Sequence, residues 1–303
     1  NKCTQSLIFI VSIVFVLCAG ITTFISYEYW ENRAGRNDEF FLLLILATMG
    51  SLVLAYATHL ASFILGLELM GIALYGLIAY PNQDDFSLEA AIKYLVLSGA
   101  SSAALLFGFA LLYAITGSLF FPDLLTGLAN PEVAVGPESP FWARQLILLG
   151  SALVLAGIAF KLSLAPFHMW TPDVYEGSPA PITGFLATIS KGAVFAAALR
   201  LYVMGEFHTF PTIVIGLTIL SIISIFIGNL LALKQENIKR LLAYSSIAHF
   251  GYLLIALVAA GTLTPNGKSA IEPSAYYIAG YIFTTLIATG LIAALSCNTN
   301  RES

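Results

Sequence analysis

Charge is what this sequence has least of. Only 10% of its 303 residues are Asp, Glu, Lys or Arg, 13 basic against 17 acidic, for a formal net charge of -4. That leaves no basic surface for a phosphate backbone, so DNA and RNA are excluded as partners. The three cysteines, at positions 3, 18 and 297, are too few and too scattered for a disulfide framework or a structural metal site. Neither an iron–sulfur cysteine arrangement nor a glycine-rich flavin or dinucleotide fingerprint is present, so the expectation is a chain with no redox cofactor and no metal of its own. The first residue is Asn rather than Met, and the apolar sequence stops abruptly after Cys297. The expectation is therefore a fragment of a longer chain.

What the sequence has instead is apolar length: 58% of it is hydrophobic and the mean hydropathy is +0.87, which selects the membrane class. A helix needs about 20 mostly apolar residues to cross the hydrocarbon layer. Nine stretches qualify: 6–27, 40–57, 60–80, 88–116, 143–165, 179–204, 208–233, 238–260 and 272–296. The first run, Leu7 to Ile25, is longer than a signal-peptide core and lacks a small-residue cleavage site, so it reads as a span. The fold class is all-α, a polytopic transmembrane helical bundle. EYWENRAGRNDE (28–39), PNQDDF (81–86) and TPNGKSAIEPS (264–274) read as polar connections. The longest connection, 117–142, carries prolines at 122, 131, 137 and 140 and has room for a short interfacial segment. Nine crossings put Arg33, Arg36, Lys234, Lys239 and Arg240 on one side and Arg144, Arg200 and Lys268 on the other; the richer side is expected to be cytoplasmic.

Against this background the interior charges are conspicuous, because a Lys or Asp at the centre of a spanning helix costs about 2.5–3.5 kcal/mol on insertion scales. FKLSLAPFHMW (160–170) places Lys161 five residues before Pro166 and His168 two residues after it. Lys161 is either a snorkelling helix-end residue or part of a broken helix, since Pro166 removes an amide donor and frees carbonyls for a cation or water. His168 has an imidazole suited to passing protons. Lys191, about twelve residues inside the stretch that starts near Pro179, is either one half of an interior ion pair or a titratable amine whose proton desolvation loosens. Glu68 has only apolar or glycine neighbours, and Gly66 and Gly71 beside it would allow close helix approach. Lys93 is either an i,i+4 partner of Glu89, worth a few tenths of a kcal/mol, or a link between Glu68 and Lys161. His249 is either an imidazole bonded across helices or a station in a hydrated proton path. His59 reads as interfacial, and Lys234, Lys239 and Arg240 chiefly as topology signals. Several titratable groups recurring on separate helices make proton or cation transfer the leading class.

ATHLASFILGLEL (57–69), SLEAAIKYLVLSGAS (87–101), FKLSLAPFHMWTPDVYEGSPAPITGFLATISK (160–191) and NIKRLLAYSSIAHFGYLL (237–254) closely resemble the antiporter-like membrane subunits of bacterial NADH-quinone oxidoreductase, respiratory complex I, above all its subunit N. The resemblance runs from about Glu39 to Leu295, and WTPDVYEGSPAP is its most specific part. It implies a subunit of about fourteen helices in two inverted five-helix repeats with broken helices at mid-membrane. This chain would correspond to the third to eleventh of them: residues 1–38 a first helix and loop, 39–204 the first repeat, 205–296 part of the second and 297–303 a polar tail. The family's second broken helix and terminal proton-exchanging residue have no counterpart in the sequence.

By the same resemblance Glu68 modulates the charge of a neighbouring lysine, Lys93 stands at the start of the next helix, Lys161 exchanges a proton beside His168, Lys191 relays it, and His249 belongs to the second repeat. The implied function is proton translocation by a non-redox subunit that is not itself catalytic. NADH oxidation and quinone reduction, with FMN and iron–sulfur clusters, would reside in partner subunits of a large complex in the bacterial inner membrane. Neighbouring antiporter-like subunits and membrane lipid are the expected partners. A secondary cation/proton antiporter subunit and a structural membrane scaffold are the competing readings.

Overall fold

A computed structural model describes residues 2–31, 38–81, 85–129, 141–204, 207, 210–263 and 271–299. Among these residues the backbone is helical apart from its connections: α1 (Lys2–Glu31), α2 (Asp38–Tyr56), α3 (Leu60–Ile78), α4 (Asp85–Thr116), α5 (Phe121–Ala129), α6 (Phe141–Lys161), α7 (Trp170–Gly177), α8 (Ala180–Phe185), a π-helical turn (Leu186–Ser190), α9 (Lys191–Met204), α10 (Pro211–Ala232), α11 (Ile238–Leu263) and α12 (Ile271–Thr299). Nine of the described segments are long and apolar enough to span a membrane, with α8, the π turn and α9 together forming one of them. This is the all-α polytopic bundle with a broken helix expected from the sequence. Arg33, Arg36 and Lys268, on which part of the expected sidedness rests, lie outside the described residues, as do 130–140 of the long connection and 264–270 of the last loop.

The outer surface carries many large apolar side chains. Leu42, Ile45, Ile72, Phe107, Phe226 and Leu291 are exposed, as lipid in place of water requires. Some buried hydroxyls close onto their own helices: Thr22 Oγ1 donates to Cys18 O, and Ser51 Oγ to Ala47 O. Helices α2 and α3 meet at glycines. A Cβ on Gly66 would stand 2.6 Å from Leu54 N, and one on Gly50 would stand 2.5 Å from Met70 N, so both positions need the missing side chain. Gly71 has no such role, since a Cβ there would meet only the Tyr75 hydroxyl of its own helix.

Two interruptions position the interior lysines. Helix α6 stops at Lys161, four residues before the expected end of that span. Ser163 N–H turns back to Phe160 O, Ser163 takes φ 60°, and Pro166 follows a cis peptide bond. The freed groups are satisfied from neighbouring elements: Ala165 N–H donates to Ser224 Oγ on α10, Thr171 Oγ1 to Ser163 Oγ, and Trp170 Nε1 to Phe160 O. The chain then continues as α7. The second interruption, the π turn 186–190 immediately before Lys191, falls inside a stretch that reads from sequence as one regular helix.

In the long connection, α5 occupies the expected short segment. His59 and Phe120 pair as an isolated bridge there, and His59 Nδ1 accepts the Ala61 N–H at the start of α3.

Candidate functional site

Lys161 is 5% exposed, so it does not snorkel. Its Nζ donates to Ser98 Oγ on α4 at 2.6 Å, and the Tyr75 hydroxyl on α3 donates to the same oxygen at 2.8 Å. Glu68 makes no ion pair with Lys161 within 4 Å. Glu68 Oε1 is buried and has no hydrogen-bond partner.

Lys191 is fully buried, the first residue after the π turn. Instead of the carboxylate of an interior ion pair, its Nζ meets Ser246 Oγ of α11 at 2.9 Å. Three rings surround it: Tyr175 at 5.1 Å, Phe250 at 5.6 Å and Trp170 at 5.8 Å to the ring centroids. Each ring face offers a cation an attraction of about 0.5–2 kcal/mol. Ser246 Oγ also receives the Tyr281 hydroxyl of α12 at 2.8 Å. Trp170 joins the two lysine sites, because it stacks on Tyr94 and on Phe160, the residue before Lys161.

Lys93 lies elsewhere. It pairs with Glu89 at 2.7 Å and with Asp173 at 3.0 Å at the end of the bundle, rather than bridging Glu68 and Lys161. Asp173 also accepts from Arg240 at 2.9 Å, and Arg240 holds Glu176 at 2.7 Å. Burial pushes the Asp173 carboxyl up, but the bonds from Lys93 and Arg240 outweigh it and hold the group below its usual range. Lys239 donates to the carbonyls of Glu176 and Ser178. Lys239 and Arg240 therefore do more than mark topology: they tie α11 to the C-terminal end of α7, whose last carbonyls lack helical partners.

His168 is 6% exposed with its ring 6.5 Å from Tyr244, and no bond to Lys161 forms. His249 bonds across helices, its Nδ1 2.7 Å from the Tyr277 hydroxyl, and its ring lies 5.2 Å from that of Tyr281. Sequence reasoning missed Ser98, Ser246, Tyr75 and Tyr281. Serines repeated along one face of an apolar helix, as at Ser98, Ser101 and Ser102, were the signal for the first of them. Among the described residues no three His, Cys, Asp or Glu side chains converge as a metal centre would need.

Residues 57–302 match the family described as NADH:quinone oxidoreductase/Mrp antiporter, TM. Among solved structures, a chain of respiratory complex I from Thermus thermophilus with bound aureothin is 37% identical over 93% of this chain and 57% of its own, with a TM-score of 0.72. Two others share the fold: a chain of the membrane-bound sulfane sulfur reductase, an archaeal respiratory membrane complex (23% identity, 94% and 55% coverage, TM-score 0.75), and one of the Mrp complex from a Dietzia species (20%, 95% and 51%, 0.76). The chain thus spans little more than half the length of each of these relatives. Its match over most of its own length, and a bundle whose broken helices carry the matched motifs, place it in the NADH:quinone oxidoreductase/Mrp antiporter family of antiporter-like polytopic membrane subunits.

Proposed function

We propose that this chain moves protons through Lys161 and Lys191 as a non-redox subunit of a larger ion-translocating membrane complex. The observation that carries the reading is Lys191, an amine wholly inside a spanning helix with a hydroxyl and three rings around it and no acid among the described residues within ion-pair distance. A charge held that way is expensive to keep and easy to discharge, which suits a proton carrier better than a structural contact. Glu68 would bias Lys161, so that a change in its own charge alters how tightly that lysine holds a proton. His168 and His249 would connect the buried groups to neighbouring paths, and Lys93 would act from the ion-pair cluster at the bundle end.

The finer reading is a subunit N type component of NADH-quinone oxidoreductase in the bacterial inner membrane. The identity to a complex I chain and the WTPDVYEGSPAP segment support it. NADH oxidation, quinone reduction, FMN and iron–sulfur clusters then belong to partner subunits. The second reading, cation/proton antiport, is supported by a family that spans both classes and by the fold shared with an Mrp chain.

The test is Lys191→Ala in the full-length subunit, assembled into its complex in sealed vesicles. Proton translocation is measured beside NADH-driven quinone reduction, with and without a sodium gradient. Intact assembly with lost pumping supports proton transfer and argues against a scaffold; a dependence on sodium in place of NADH selects the antiporter. Normal pumping in an assembled complex would overturn the proposal.

A further inference from the structure

The two buried lysines share one device. Each donates to a serine hydroxyl that also binds a tyrosine hydroxyl, and the three residues of each set come from three different elements. Lys161, Ser98 and Tyr75 belong to α6, α4 and α3; Lys191, Ser246 and Tyr281 belong to α9, α11 and α12. The second set has a further acceptor. Lys191 N–H bonds Thr188 O rather than Ala187 O, and Ala187 O instead lies 3.2 Å from the Tyr281 hydroxyl.

A chain of hydroxyls between an amine and a carbonyl has two polarities. With Lys191 charged, the ammonium donates to Ser246, Ser246 donates to Tyr281, and Tyr281 donates to Ala187 O. With Lys191 neutral, Tyr281 donates to Ser246 and Ser246 donates to the amine lone pair. Both patterns use the same heavy-atom distances, so only hydroxyl hydrogens rotate. A carboxylate partner would favour the charged state alone, whereas this arrangement serves both.

We propose that Ser246 and Tyr281 form a reversible hydroxyl pair that positions Lys191 in either protonation state. The inference rests on the reading of Lys191 given under Proposed function. The ionisable groups facing Lys191 are Tyr175 from α7 and Tyr281 from α12, with His249 one turn from Ser246 on α11; Trp170 and Phe250 complete its surroundings. No described carboxylate or second cation lies within 4 Å of its Nζ.

The experiment compares Ser246→Ala, Ser246→Thr, Tyr281→Phe and the double variant Ser246→Ala/Tyr281→Phe in the assembled complex, following proton translocation against pH. Losing the hydroxyl removes a bond that matters most to the ammonium. Ser246→Ala is therefore expected to lower pumping about tenfold and to move the pH profile about one unit to the acid side. Ser246→Thr, which keeps the hydroxyl, restores the profile. Tyr281→Phe shifts it the same way by less, and the double variant matches Ser246→Ala, because the Tyr281 bond acts through Ser246. An unchanged profile in Ser246→Ala, or single effects that simply add, overturns the pair. If Lys191→Ala itself pumps normally, the parent reading fails instead; if it abolishes pumping while Ser246→Ala keeps the wild-type profile, only this inference fails.

Discussion

Two buried lysines, on α9 and α11, should respond unequally to replacement by methionine. Lys239 is 2% exposed and donates to two carbonyls at the end of α7, Glu176 O at 3.3 Å and Ser178 O at 3.0 Å. Charge-assisted bonds are worth about 1.5–3 kcal/mol each, so Lys239→Met, which strands both acceptors, should destabilise by about 3 kcal/mol. Lys191→Met also removes one such bond and the attraction of three rings, together about 3 kcal/mol when each is taken at the low end of its range, as for Lys239. It simultaneously removes the cost of holding an amine in the membrane interior, about 2.5–3.5 kcal/mol. These contributions nearly cancel, so Lys191→Met should leave stability within about 1 kcal/mol of the parent while proton transfer is lost. The assay is the midpoint of heat-induced aggregation of the solubilised, assembled complex, read beside pumping in vesicles. A midpoint that falls as far for Lys191→Met as for Lys239→Met would show that the Lys191 amine is structural and would refute the reasoning.

Three shorter predictions follow from other parts of the bundle. Asp173→Asn should loosen α7 by about 1 kcal/mol, a small figure because Lys93, Asp173 and Arg240 are all partly exposed and screened. Greater hydrogen exchange at 170–177 would report it, with the parent approaching the variant as salt is raised. Because the folded Asp173 carboxyl is held below its unfolded range, its contribution is fully present above about pH 4 and is lost only as pH falls through the lower folded value. The same exchange should therefore rise in the parent only in strong acid. Gly66→Ala must push Leu54 N and Cα away from contacts of 2.6 and 3.0 Å, so it should lower assembled yield by an overpacking cost of about 1–3 kcal/mol, whereas Gly71→Ala should not.

The spans were legible because lipid imposes a single requirement, about 20 apolar residues, that composition alone reveals. Pro166 marked the first break for an equally local reason, a missing amide, although the helix unwinds before the proline rather than at it. The lysine partners were not legible. Ser246 is 55 residues from Lys191 and Ser98 is 63 from Lys161, so no helical periodicity joins them. An amine can be held by an acid, a hydroxyl or rings, and sequence spacing does not choose among these. Lys93 shows the same limit from the other direction, since its second partner, Asp173, is 80 residues away on the far side of the break. The π turn left no sequence mark because LATIS suits an α-helix equally well.

That turn supplies the last test. A π turn is one extra residue accommodated within an α-helix, so removing one residue restores α geometry while the helix on either side can keep its face. Thr188 is the residue to remove, because its hydroxyl serves only Gly184 O of its own segment and binds no other helix. In the continuous helix the carbonyl of residue 187 would turn onto the α ladder and away from Tyr281, leaving Tyr281 without its second acceptor. Lys191 would keep Ser246, and the three rings would stay in place. The deletion should therefore assemble and pump with an acid shift no larger than that of Tyr281→Phe, and adding Tyr281→Phe should bring it to the Tyr281→Phe profile. If the deletion pumps with the parent's pH profile, the Ala187 carbonyl has no part in setting the Lys191 proton, and the π turn serves packing alone.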